Sequence, residues 1–214
     1  MGSLPTIPLN QKVTTIVFSS GMSNYRRTHS PGGSFFFTVA LSDQGSNLLT
    51  DRIADLRRAY RATIRHAPIR CDAMVVLPDH LHAVWTLPDG DSAYSERWRK
   101  IKHRFTRMVV TEVGRTAHPT LSPSKRAKRE RGIWQRRFWE HTIRDEADFK
   151  AHVEYCLGNP VKHGLVERPA DWPFSSIHRD IKAGRVDPDW IGAEMVGAFG
   201  EGRAYESGSE DWMI

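Results

Sequence analysis

Two histidines one residue apart, His80 and His82 in "LPDHLHAVWTLP", sit inside a run that otherwise alternates like a β-strand. Successive side chains of a strand point to opposite faces, so Leu81, Ala83, Trp85 and Leu87 share one side and read as the core face. The two imidazoles share the other side, about 7 Å apart by the usual rise per residue. Neutral imidazole nitrogens at that spacing can chelate one divalent metal. A half-exposed pair on a solvated sheet face is the plainer alternative. Two ligands rarely make a site, so the metal reading needs further donors from elsewhere in the chain.

The stretch "DEADFKAHVEYCLGNPVKHG" offers them. Phe149, Val153, Cys156 and Leu157 recur at helical spacing and form a packing stripe. Asp148, His152, Tyr155 and Asn159 fall on another side, which stacks Tyr155 one turn from Asn159. Taken alone, a tyrosine beside an apolar stripe is an amphipathic core-rim residue. Asp145 can cap this helix, and Glu146 and Asp148 suit its first turn. Pro160 and Gly164 fit its exit, and the residue before a proline is pushed away from helical geometry, which sets Asn159 near the boundary.

The elements that must hold these residues follow from periodicity. "SFFFTVAL" (34–41) reads as a buried strand, and Ile53, Leu56, Tyr60 and Ile64 define a helix over about 50–66. Strands over 69–78 and 80–87 form a hairpin. A second helix over about 93–111 carries Tyr94, Trp98, Ile101, Phe105, Met108 and Val109 on one stripe and Lys100, Arg104 and Arg107 on another. "IWQRRFWEHTI" (133–143) returns to a strand, with Trp134, Arg136, Phe138, Glu140 and Thr142 on one face. The order β-α-β-β-α-β plus a helix predicts an α+β fold: a ferredoxin-like or RRM-like antiparallel sheet with helices on it and an appended C-terminal helix. One domain suffices for 214 residues. It is expected over 22–178, with a dispensable extension at 1–21 and a partly disordered tail at 179–214.

Charge points to the partner. Residues 97–137 carry fourteen Lys/Arg against Glu112 and Glu130, a local +12 in a chain of net +6. Such asymmetry suggests a polyanion, nucleic acid first, with a solvated charged face as the bland alternative. The basic loop within 114–132 contributes Lys125, Arg126, Lys128, Arg129 and Arg131, and Arg136, Arg137 and Trp134 follow it. Cys71 and Cys156 do not form a disulfide framework, no apolar run is long enough to cross a bilayer, and no signal peptide opens the chain. The reading is a cytoplasmic protein.

"HLH" (80–82), "WQRRFWEHTIRDEADF" (134–149), "YCLGNPVKHGLV" (155–166) and "DWPFSS" (171–176) together resemble the REP-associated tyrosine transposases, members of the IS200-like, single-tyrosine HUH superfamily. "MSNYRRTHSPGGSFFFTVAL" from Met22 resembles the family's N-terminus, so the likeness covers about residues 22–200. It implies a catalytic helix carrying Tyr155 as the nucleophile, His80, His82 and Asn159 as ligands of Mg²⁺ or Mn²⁺, and single-stranded hairpin DNA as substrate. The implied reaction cuts and rejoins that DNA through a 5′-phosphotyrosine intermediate. The metal has a physical reason, because a tyrosine pKa of about 10 leaves little phenolate at neutral pH. A monomer is favoured over a dimer. The rivals are a non-catalytic single-stranded nucleic-acid-binding module and a hydrolytic phosphodiesterase using the histidines without a covalent step.

Overall fold

The computed structural model describes residues 30–113 and 132–192. Its sheet has four antiparallel strands, β1 (Ser34–Ala40), β2 (Arg70–Val76), β3 (His80–Thr86) and β4 (Trp139–Thr142), in the order β2-β3-β1-β4. That is the ferredoxin-like arrangement: β1 and β3 are central, with β2 outside β3 and β4 outside β1.

Helices α1 (Leu48–Asp51), α2 (Ile53–Ile64) and α3 (Tyr94–Val113) are joined by α4 (Glu146–Lys162) and α5 (Ile177–Lys182). The single helix expected over 50–66 breaks at Arg52, which leaves helical geometry at φ −111° and ψ 29°. The strand expected over 133–143 is shorter than its alternation suggested. Only Trp139–Thr142 pairs with β1, while Trp134 makes an isolated bridge to Leu41 and Lys102 donates to the Gln135 carbonyl.

Both faces of the sheet are covered. On one, Phe35, Phe37, Leu81, Ala83 and Trp85 pack against Leu56 and Ala59 of α2 and Trp98, Ile101 and Phe105 of α3. On the other, Phe36, Ala73, Val75 and Val84 meet Tyr155, Cys156 and Leu157 of α4 and Ile177 of α5. Hence three consecutive phenylalanines are all buried: β1 is central and its alternate side chains enter different cores. An RRM-like module would leave the second face open to bases. Here α4 occupies it.

Asp145 caps α4 as its sequence suggests, accepting the Asp148 backbone N–H at 2.8 Å. The helix does not stop at Pro160 but runs on to Lys162, keeping Asn159 helical. Proline removes only its own N–H bond, and burial of the whole run from Tyr155 to Pro160 against the sheet offsets that loss. Gly164 then ends the helix at φ 64°, a left-handed conformation that a glycine adopts without strain.

The outer edge of β2 is closed by the "DWPFSS" segment. Val76 donates to the Phe174 carbonyl and Ser176 to that of Met74, each at 2.8 Å. Helix α5 crosses the 178/179 boundary expected from the sequence, and Val186 and Trp190 pack against the second core. The folded domain therefore reaches beyond 178. The extension at 1–21 and the segment from 193 onward lie outside the described residues.

Candidate active site

His80 and His82 point away from the Leu81/Ala83/Trp85 face, as alternation requires, but they are not at the surface. Their exposures are 6% and 0%, because α4 lies over them. The alternative of a half-exposed pair fails because a second hydrophobic layer, invisible to strand periodicity, covers that face. The two rings stand 5.0 Å apart, and each Nδ1 has a partner within the protein. His80 Nδ1 lies 2.7 Å from the Asp79 carboxylate, and His82 Nδ1 lies 3.0 Å from Thr38 Oγ1. A carboxylate on Nδ1–H fixes the tautomer that carries the Nε2 lone pair, the arrangement used to orient metal-binding imidazoles. Asp79 and Thr38 were missed from the sequence. The acid beside the first histidine in "PDHLH" was the available signal.

Tyr155 is 1% exposed, and its ring packs T-shaped with those of Phe36 and His82, centroids 5.7 Å and 5.4 Å away. Two turns on, Lys162 Nζ donates to Tyr155 Oη at 3.0 Å and lies 4.8 Å from the ring centroid. The His163 ring is 5.1 Å from that of His80. Tyr155, Asn159 and His163 share one helical stripe, so the fully buried Asn159 lies between two side chains that reach the histidine strand. Tyr155, His80 and His82 thus come together within one chain, with Asn159 one turn beyond Tyr155 on the same helix. Two imidazoles and an amide oxygen are a donor set that suits Mn²⁺ well and Mg²⁺ with waters completing its shell.

A second cluster adjoins the first across Phe36, whose ring is 5.0 Å from that of His152. His141 Nε2 donates to Asp148 Oδ2 at 2.9 Å, and Arg144 donates to the same oxygen from Nε and from its backbone N–H at 3.0 Å each. Asp148 Oδ1 lies 3.1 Å from His152 Nδ1, which donates to the Asp148 carbonyl at 2.8 Å. Ligand-type atoms of His141, Asp148 and His152 fall within 4.8 Å of one another, spacing that a cation could use. A guanidinium already neutralises this carboxylate, so the group reads better as a clamp joining β4 to the start of α4. Burial would raise the Asp148 pKa, but the hydrogen bonds from Arg144 and His141 prevail and hold it far below the ordinary carboxylate value. Burial, with His141 nearby, lowers the pKa of His152.

A depressed folded-state pKa contributes stability that is fully present above the unfolded value and fades as pH falls through the folded one. Asp148→Asn is therefore expected to cost about 2 kcal/mol at pH 7, the scale of a charged hydrogen-bonded group. The difference from the parent should shrink as pH drops below about 4. Urea midpoints at pH 7 and pH 3 check both statements, and equal midpoints at pH 7 would remove the clamp.

The basic residues divide. Arg97, counted in the charged segment, is buried and structural, held by Asp91 and by the carbonyls of Ala67 and Pro68. Lys100 pairs with Glu96 at 3.4 Å, Arg104 donates to Thr63 at 2.9 Å, and Arg107 is exposed. With Arg99 and His103 these three line one depression on α3. Arg136 and Arg137 are exposed, whereas Trp134 packs on Phe105 at 5.4 Å with Lys102 over its ring. Lys125, Arg126, Lys128, Arg129 and Arg131 lie outside the described residues. Sequence reading missed Arg57, Arg58, Arg61 and Arg65, which line a second basic depression on α2. The i, i+4, i+8 recurrence of Arg57, Arg61 and Arg65 is visible in the sequence, but all four precede the segment where charge is densest.

No family model matches the chain. It is 46% identical over 171 residues to a protein of Haemophilus influenzae and 44% identical over 171 residues to one of Escherichia coli K12, both named for the REP-associated tyrosine transposases. These matches cover 80% of this chain and 94% and 92% of theirs. Among solved structures, the chain is similar to a REP-associated tyrosine transposase bound to a REP hairpin. The TM-score is 0.71 at 41% identity, over 85% of this chain and 98% of that one.

Proposed function

The chain belongs to the REP-associated tyrosine transposases, and from that premise we propose that it cuts and rejoins single-stranded DNA at palindromic hairpins through a covalent bond to Tyr155. The observation carrying this reading is the Tyr155 ring against His82, 5.4 Å between centroids, beside a histidine pair whose Nδ1 atoms are engaged by Asp79 and Thr38. His80, His82 and Asn159 would hold a divalent cation, which when bound polarises the scissile phosphate and stabilises its growing charge.

In the forward step Tyr155 Oη bonds to phosphorus as the bond from phosphorus to O3′ breaks. The phenolic proton ends, net, on the departing oxygen, leaving a free 3′-OH and a 5′-phosphotyrosine. Rejoining reverses each change with another 3′-OH. One ester replaces another, so no external energy source is needed. Burial of Tyr155 among Phe36 and His82 fixes its ring before DNA arrives, which favours attack by positioning. Because nucleophile and histidines meet in one chain, the reading is of a monomer acting in cis.

Hairpin DNA as the partner draws on the solved relative and on the basic surfaces of α2 and α3. No helix among the described residues is long and apolar enough to cross a membrane. The test is incubation of the full chain with labelled single-stranded hairpins and Mn²⁺, then a denaturing gel. A labelled fragment that stays bound to protein supports the covalent reading. Nicking without attachment would favour a hydrolytic phosphodiesterase, and binding without nicking a non-catalytic module.

Neutralising Lys125, Arg126, Lys128, Arg129 and Arg131 together is expected to weaken hairpin binding and flatten its salt dependence. If all five touch phosphate, the slope of log K against log salt should fall by about 3–4, at roughly 0.7 per contact on a single strand. An unchanged slope assigns them to a solvated surface.

A further inference from the structure

We propose that Lys162 is the positioning residue for the Tyr155 nucleophile, its ammonium group aiming the hydroxyl oxygen and offsetting the negative charge that passes through it. This rests on the covalent reading of Tyr155. A lysine in the last turn of a helix ordinarily interacts with the helix's carbonyl end from solvent. Lys162 instead lies back along α4 over two turns, with Nζ 3.0 Å from Tyr155 Oη and 4.8 Å from the ring centroid. Phe36 and His82 pack against the ring, and the Lys162 ammonium addresses the hydroxyl oxygen.

An ammonium group donates and cannot accept, so it engages a lone pair of the hydroxyl and restricts where the oxygen points. As Oη bonds to phosphorus and O3′ departs with the proton, Lys162 keeps its own protons and supplies charge alone. In rejoining, the same contact stabilises the phenolic oxygen as it leaves phosphorus. The spacing of Tyr155 and Lys162, i to i+7 on one helix, returns both to the same stripe.

The test compares Lys162→Met, which keeps an apolar stem without charge, and Lys162→Arg with the parent full chain. The measurements are single-turnover adduct formation on hairpin DNA with Mn²⁺ at saturating DNA, hairpin Kd with its salt slope, and melting temperature. Lys162→Met should form adduct about 100-fold more slowly, the scale of a misplaced reacting group, with Kd and melting little changed. Lys162→Arg should recover about tenfold of that loss, limited by the different reach of guanidinium. Three results would overturn the proposal. One is a saturating rate for Lys162→Met within twofold of the parent. Another is a loss confined to Kd, with the salt slope reduced by about one, which would make Lys162 a phosphate contact. The third is an Arg variant as slow as Met with lowered melting, which would make it structural. If the parent forms no adduct, or Tyr155→Phe still nicks, the covalent reading fails first and this inference with it.

Discussion

Tyr155→Phe is expected to bind hairpin DNA within about twofold of the parent while its covalent adduct and free 3′-OH product fall by at least about 10³-fold, the scale seen when a nucleophile is deleted. The ring stays, so its contacts with Phe36 and His82 and most of the buried area remain. What disappears is the Oη that accepts from Lys162, a stability change of about 1 kcal/mol. Such a loss would shift the melting temperature by only a few degrees for a domain of this size. Cys156, the adjacent nucleophilic atom, cannot substitute. It sits on the packing stripe with its thiol donating to the His82 carbonyl at 3.6 Å, and burial pushes its pKa well up. Binding and melting separate this result from misfolding. A Phe variant that still nicks would move the nucleophile to water and replace the covalent mechanism with hydrolysis.

Much of this site was legible in the sequence because two simple periods control it. A strand's period of two set His80 and His82 opposite Leu81 and Trp85, and the helical period put His152, Tyr155 and Asn159 on one face. The ferredoxin-like sheet followed from element order, and its strand order agrees. Periodicity describes an element's faces without saying what lies against them, so the covering of the histidine face by α4 could not be read. For the same reason the pairing of Phe36 with both histidine clusters was hidden in a strand that looked uniformly apolar.

Other misses have different causes. Locally, Pro160 marks a helix boundary, yet the buried run from Tyr155 to Pro160 overrides that preference. Placing the exit there also stopped the helical stripe before Lys162, the next residue on the Tyr155 side. Residues 133–138 alternate like a strand, but ahead of β4 the chain meets the side of α3, where Lys102 and Phe105 take up Gln135 and Trp134. The basic segment was overvalued as a unit, since Arg97 is a buried structural cation and the arginines of α2 add to the charged surface from outside it.

His80→Ala is expected to abolish metal-dependent cleavage, with a fall of at least about 100-fold that added Mn²⁺ does not restore, because removing a ligand changes the site rather than its occupancy. His82→Ala should do the same at a further cost in stability. Its ring is fully buried and stacks on Phe36 at 5.4 Å, so truncation leaves a cavity worth roughly 2–3 kcal/mol. His80→Ala is the cleaner probe for that reason. Asp79→Asn grades the effect: the imidazole remains but loses the carboxylate on Nδ1, and removing such a partner typically weakens metal affinity 10- to 100-fold. Cleavage by this variant should recover at high Mn²⁺, while that of His80→Ala should not. Direct Mn²⁺ titration by calorimetry checks the order of affinities independently of cleavage. The decisive comparison is with His141→Ala, which removes one member of the neighbouring His141–Asp148–His152 group. If His141→Ala loses Mn²⁺ binding and His80→Ala keeps it, the cation belongs to the β4–α4 cluster, and the histidine pair on β3 serves to hold Tyr155 in place.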